Sequence, residues 1–244
     1  MSKQIYRIED SIGEITVIQN DNKRVMSFGS GLEQSSILID RPEYLIHEYT
    51  RVMLLGLMFA RTECITLLGL GGGGLLHCIH HYFPEINIQA IEYRRAVIDV
   101  AHQWFDLPVA ANIHITCSEA CEYLKKLPTG TTGLILSDLY EASGMSKVQA
   151  QQEFIEAAEN ALSEQGWLLL NFHQLPEKNS VLMLQIQAVF SDVYVCDVFS
   201  GNWVVFCGRY SLALNQAELT ARARQLATTV EMPMVYYFKQ LRAL

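Results

Sequence analysis

The sequence predicts an α/β fold: a mostly parallel sheet, a small N-terminal β-hairpin unit ahead of it, and an antiparallel hairpin at its far end. Three observations carry this. From Ile65 to Phe190 short apolar runs alternate with segments of helical spacing, which is how parallel strands buried on both faces read. Residues 1–40 hold β runs punctuated by turn residues. Val193–Val198 and Trp203–Cys207 are separated only by residues 199–202, too few for a crossover, so they pair as a hairpin.

Glu14–Ile18 and Lys23–Phe28 flank the turn cluster Gln19–Asn22, and a short strand around Ser35–Ile39 ends at Asp40-Arg41-Pro42. Leu45, Val52, Leu55 and Met58 give helical spacing over Glu43–Phe59, with Pro42 at its start. Strands Ile65–Leu68, Ile86–Ile91, Ile113–Thr116, Gly133–Ser137 and Trp167–Phe172 then alternate with helices Leu75–Tyr82, Ala96–Trp104, Glu119–Lys126, Val148–Leu162 and Val181–Phe190. Helices over Gln216–Thr229 and Val235–Leu244 complete the chain. This order places an N-terminal β domain at residues 1–40 and a larger domain at 41–244, without repeats or a Gly/Pro/Ser-rich linker.

Half of the 244 residues are hydrophobic and 18% are charged, which excludes a disordered chain. A net charge of −8 argues against nucleic acid or an anionic membrane as partner and suits a small cationic substrate. The apolar runs Val52–Ala60 and Ile65–Leu76 are too short to span a bilayer, and Met1–Asp10 lacks the apolar core of a signal peptide. Six cysteines without a CxxC pair, mostly inside apolar runs, read as buried thiols in a reducing cytoplasm.

Gly69-Leu70-Gly71-Gly72-Gly73-Gly74 follows a buried strand and opens a helix, the arrangement that lets a backbone approach a ligand at a helix N-terminus. Glu92 ends the next strand, where a carboxylate accepts ribose hydroxyls. The pair points to a nucleoside without specifying which one. Glu119, at the end of the third strand, reads equally as an acceptor for an adenine amino group and as a first-turn helix acid. Asp138 ends the fourth strand, with Tyr140 and Glu141 following, a set suited to a cation-binding cleft. His77, His80 and His81 lack a further ligand at suitable spacing and read as a partly exposed helix face; no metal site is expected. Met53, Met58, Phe59, Trp104 and Phe105 read as core.

In this order the glycine loop, Glu92, Ser118-Glu119-Ala120, Asp138 with Glu141, and the Ser200–Phe206 hairpin resemble spermidine synthases. Gln34-Ser35-Ser36 and His47-Glu48 resemble that family's small β domain and its Tyr-x-Glu helix. The resemblance spans roughly residues 5–210. It implies a Rossmann-like domain of methyltransferase type, decarboxylated S-adenosylmethionine as co-substrate, and a homodimer. On it, Asp138 is the catalytic base; Glu141, Tyr140, Gln34, His47 and Glu48 face the amine; Gly69, Gly71, Gly72, Gly73, Glu92 and Glu119 face the nucleoside.

The chain departs from the family at Gly72, where the family has an acid holding the aminopropyl ammonium. It departs also at Ser118-Glu119 for Gly-Asp, at Glu141-Ala142 for Asp-Pro, at Ile46 for tyrosine, at Gly13 or Glu14 for glutamine, and at Val198-Phe199, where a tyrosine is missing. Three readings follow: an aminopropyltransferase acting on a polyamine acceptor such as putrescine, an S-adenosylmethionine-dependent methyltransferase, and a non-catalytic nucleoside-binding or interaction protein.

Overall fold

A computed structural model describes every residue except 1, 30–32, 61, 142–143, 200 and 212–214, and the side chains of residues 141, 144 and 145. The chain opens with β1 (Ser2–Glu9), β2 (Glu14–Asn20), β3 (Lys23–Phe28) and β4 (Glu33–Leu38), consecutive antiparallel strands of one four-stranded sheet. The sequence pattern gave the last three of these. β1, whose residues are mostly exposed, has no apolar face strong enough to mark it.

Next come α1 (Glu48–Leu54), α2 (Gly56–Phe59), β5 (Cys64–Leu68), α3 (Gly74–Tyr82), β6 (Asn87–Glu92), α4 (Arg95–Trp104), β7 (Ile113–Cys117), α5 (Ala120–Leu124) and β8 (Thr132–Ser137). A two-residue ribbon, β9 (Tyr140–Glu141) with β10 (Gly144–Met145), precedes a 3-10 turn at Lys147–Ala150 and α6 (Gln152–Ala161). β11 (Leu162–Phe172), α7 (Val181–Val189), β12 (Asp192–Val198), β13 (Asn202–Gly208), α8 (Gln216–Val230), α9 (Met234–Phe238) and β14 (Leu241–Ala243) follow.

The large sheet runs β14-β12-β13-β11-β8-β5-β6-β7. Its β11, β8, β5, β6 and β7 are parallel, and β13, β12 and β14 add on antiparallel. Strand periodicity divides the core between the two faces. Leu134 and Leu136 of β8 with Trp167 and Leu169 of β11 join the cluster under α1–α4, α8 and α9, which also takes in the four-stranded sheet. Ile135, Leu168, Leu170 and Phe172 join the cluster under α5–α7.

Three helix expectations are corrected. Residues 43–47 are not helical: the Arg51 side chain donates to the Leu45 and Ile46 carbonyls, and α1 begins only at Glu48. Val148–Leu162 divides into the 3-10 turn and α6. The last helix ends at Phe238, and Leu241–Ala243 pairs with β12 instead, covering what would be the sheet's open edge.

The histidine reading changes too. His77 is buried and its Nε2 lies 2.8 Å from the Phe105 carbonyl. All six cysteines are free; Cys117 is exposed, and Cys78, Cys121, Cys196 and Cys207 are buried. Among the described residues no group of His, Cys, Asp and Glu is arranged to hold a metal, and no helix is long and apolar enough to cross a membrane.

Candidate active site

β5 sends its connection to β6 on one side while β8 lies on its other side, which makes the carboxyl end of β5 the sheet's switch point, where ligands of open α/β folds sit. The glycine loop leaves β5 there. Its first amide donates to the Ile91 carbonyl at 2.8 Å, and the Asp138 amide donates to the Leu68 carbonyl at 2.8 Å. Gly69 has φ of 91° and faces the Asp138 carbonyl so closely that a Cβ would collide with it. Only glycine serves at this position.

A cavity of about 380 Å³ opens over this edge, a size suited to a small-molecule ligand. Gly69, Gly71, Glu92 and Glu119 line it from the large sheet's edge; Phe28, Gln34, Ser35 and Ser36 of the four-stranded sheet, with Ile12 of the β1–β2 loop, line it too, Ser35 against the glycine loop. His47, Tyr49, Asp138 and Tyr140 close the remaining side. Ile12 and Tyr93 stand exposed at the rim.

Glu92 holds the loop itself. Its Oε2 accepts from the Leu70 amide at 3.1 Å and its Oε1 from the Arg94 amide at 2.9 Å. Burial raises its pKa, and these amides pull it back. The Gly71 amide also acts on this carboxylate, whose remaining acceptor capacity can take a ligand hydroxyl. Glu119 is turned inward: both of its oxygens cap α5, accepting from the Cys121 and Glu122 amides at 3.0 and 2.9 Å. The first-turn reading is therefore the observed one, although Glu119 still lines the cavity.

Asp138 is the centre of a buried polar network. Its Oδ2 accepts from the Tyr49 hydroxyl at 3.0 Å and its Oδ1 from the Asn171 amide at 2.8 Å. Asn171 is fixed in turn: its Oδ1 accepts from Asn202 Nδ2 at 3.0 Å, and its carbonyl accepts from Gln149 Nε2 at 2.7 Å. Gln149 also accepts from the Ser137 hydroxyl at 2.8 Å. Burial pushes the Asp138 carboxyl above the ordinary aspartate range, opposed by the Asn171 and Tyr49 donors. Tyr140 lines the cavity with its hydroxyl buried beside Asn202 and its ring edge-on to His173 at 4.7 Å.

His47 stacks on Tyr49 with ring centres 5.6 Å apart, and its Nε2 faces Ser36 Oγ at 3.2 Å and Glu33 Oε1 at 3.3 Å. Burial lowers the His47 pKa, against the pull of Glu33. Arg94 joins the two sheets: its guanidinium donates to both Asp10 oxygens at 3.1 and 2.8 Å and to the Gly13 carbonyl at 2.7 Å.

Of the sequence-derived site residues, Gly69, Gly71, Glu92, Glu119, Asp138, Tyr140, Gln34 and His47 thus share one cavity. Gly72 and Gly73 belong to the loop but do not line the cavity. The position-72 Cβ vector points at the Phe105 ring, 2.6 and 2.8 Å from two of its carbons. Glu48 is off the cavity as well, on the α1 face that meets Tyr237. The Glu141 side chain lies outside the described residues. Tyr49, Asn171, Asn202 and Arg94 went unseen in the sequence, because each acts through a partner tens of residues away.

No protein-family model matches the chain. The polyamine aminopropyltransferase of Neisseria meningitidis serogroup B is 28% identical over 180 residues, 72% of this chain and 68% of that one. The polyamine aminopropyltransferase of Chromobacterium violaceum is 28% identical over 222 residues, 89% and 85%. The chain is thus similar, as a divergent relative, to polyamine aminopropyltransferases.

Its fold matches that of a probable spermidine synthase from Corynebacterium glutamicum with a TM-score of 0.78, at 19% identity and covering 91% of this chain and 86% of that one. The same fold extends to methyltransferases. Human methyltransferase-like protein 13, solved with SAH, superimposes with a TM-score of 0.67 at 22% identity, covering 77% and 94%. The human eEF1A lysine and N-terminal methyltransferase is 27% identical over 213 residues, 78% of this chain but 30% of that protein. These relatives are transferases, and aminopropyl transfer is supported at the level of the family.

Proposed function

We propose that the protein transfers an aminopropyl group from decarboxylated S-adenosylmethionine to a small cationic amine such as putrescine, releasing 5′-methylthioadenosine. The observation that carries this reading is Asp138, a carboxylate held by two donors at the cavity beside the glycine loop. A protonated amine has no lone pair, so the acceptor must first lose a proton. In the proposed step, Asp138 takes that proton from the acceptor ammonium. The freed nitrogen pair forms the bond to the methylene carbon on the sulfonium, and the carbon–sulfur pair returns to sulfur, which leaves as a neutral thioether. The new secondary amine carries the positive charge. Glu92 holds the ribose; Gln34, His47 and Tyr140 line the acceptor side. Fixed groups on both sides bring nitrogen, carbon and sulfur into line.

A second reading, methyl transfer from S-adenosylmethionine, is favoured by one observation: with Phe105 packed against Gly72, the glycine loop brings no carboxylate to repel a carboxylated tail. Calorimetry with the two sulfonium compounds and methylthioadenosine, together with product analysis using putrescine, cadaverine and spermidine, separates the readings. Aminopropyl transfer gives tighter binding of the decarboxylated compound and release of methylthioadenosine. Preference for the carboxylated compound with release of S-adenosylhomocysteine establishes methyl transfer instead, and the absence of any binding points to a non-catalytic protein. Asp138→Asn should lower turnover about 10²–10⁴-fold; near-normal turnover removes Asp138 as base.

A further inference from the structure

We infer that Tyr49 is the positioning residue of Asp138, fixing the oxygen through which that carboxylate meets the cavity. The inference rests on the reading of Asp138 as base. The two oxygens of Asp138 have unlike surroundings. Oδ1 faces Asn171, which is fully buried and locked by Asn202 and Gln149. Asn171 does not line the cavity, whereas Tyr49 does. Oδ2, paired with the Tyr49 hydroxyl at 3.0 Å, is therefore the oxygen on the ligand side.

Tyr49 is itself held from outside the large sheet. Its ring stacks on His47, and His47 is fixed by Ser36 and Glu33 of β4. A line of contacts thus runs from the four-stranded sheet through His47 and Tyr49 to Asp138. A neutral phenol at Oδ2 stabilises the carboxylate while leaving its charge in place, and it leaves the second lone pair of Oδ2 directed at an incoming ammonium. The other titratable groups acting on Asp138 among the described residues are Tyr140 and His173. Neither donates a hydrogen bond to it, so the hydroxyl of Tyr49 is the removable control.

Tyr49→Phe keeps the ring and its stacking but removes the hydroxyl, and Tyr49→Met, which also lacks it, serves as a second variant. In the full-length protein labelled with ¹³C at aspartate side-chain carboxyls, the Asp138 signal is assigned by its loss in Asp138→Asn. Its titration midpoint should move to higher pH in both Tyr49 variants, because a donor to the carboxylate has been lost. A midpoint that stays put in both overturns the inference whether or not Asp138 is the base, and this arm needs no turnover. In kinetics, Tyr49→Phe should lower kcat about tenfold with a smaller change in the amine KM. In the Asp138→Asn background it should cost nothing further; equal losses in both backgrounds overturn the inference. Full turnover by Asp138→Asn alone instead refutes the base assignment and leaves the titration to decide the role of Tyr49.

Discussion

Gly72 shows how a single residue changes what the site can hold. Its amide donates to Ser35 Oγ at 2.9 Å, and a Cβ there would lie 2.6 Å from the Phe105 ring and 3.1 Å from that same oxygen. Phe105 is fully buried, so it cannot swing away without opening the core. Gly72→Asp, the obvious restoration of the missing acid, should therefore overpack this contact and cost about 1–3 kcal/mol in denaturant unfolding, with no gain in affinity for a cationic tail. Unchanged stability with tighter binding of the decarboxylated sulfonium would show that Phe105 yields. Glu92 gives the complementary case. Glu92→Gln keeps an acceptor for the Leu70 amide but removes the charge. Losing charge-assisted bonds worth about 1.5–3 kcal/mol should weaken methylthioadenosine binding roughly ten- to a hundredfold by calorimetry. The glycine loop, Glu92 and Asp138 were legible in sequence because their neighbours along the chain define them. Tyr49 and Asn171 were not: they reach Asp138 across 89 and 33 residues, a distance over which no local pattern carries information.

At the scale of elements, the fold was readable wherever one element's own periodicity decides its state, and misread where a distant partner decides it. Asp10 and Arg94 are the clearest distant pair. The loop between β1 and β2 docks just past the end of β6 through three hydrogen bonds from the Arg94 guanidinium, whose side chain is only 8% exposed. Burial alone would raise the Asp10 carboxyl, but the Arg94 hydrogen bond and the Ile12 and Gly13 amides outweigh it and leave it below the ordinary aspartate range. A carboxyl depressed in the folded state stabilises the fold at neutral pH. That contribution fades as the pH falls from the ordinary carboxylate range through the lower folded value. Asp10→Asn should lower the thermal midpoint at neutral pH and flatten its decline in acid. A variant that melts like the parent at both pH extremes would mean the pair adds nothing to docking. Strand β14 makes the same point about legibility. The sequence predicts one helix over Val235–Leu244, yet residues 241–243 become a strand because β12 offers an unpaired edge.

The whole molecule behaves as one unit if the four-stranded sheet is part of its core instead of an appendage to it. Ile15, Val17, Met26, Phe28 and Ile37 are at most 6% exposed, and they belong to the same apolar cluster as Leu75, Leu76, Phe105 and Leu107 beside the glycine loop. At about 1.5–3 kcal/mol for each buried side chain, these residues contribute on the order of 10 kcal/mol, comparable with the net stability of an ordinary domain. Removing residues 1–38 would also take Asp10, the Gly13 carbonyl and the Phe28 ring away from Arg94, and would strip Phe28, Gln34, Ser35 and Ser36 from the cavity wall. A fragment of residues 39–244 should therefore aggregate, or melt without cooperativity, and should bind no adenosyl ligand. The intact chain should unfold in a single transition whether followed by far-UV signal or by tryptophan fluorescence, since Trp104 packs against Tyr6 of β1 while Trp167 sits at the centre of the large sheet. If the two probes separate, or the fragment is a soluble monomer with a sharp melt, the four-stranded sheet is an independent lid, and the line of contacts from β4 to Asp138 couples two bodies instead of bracing one.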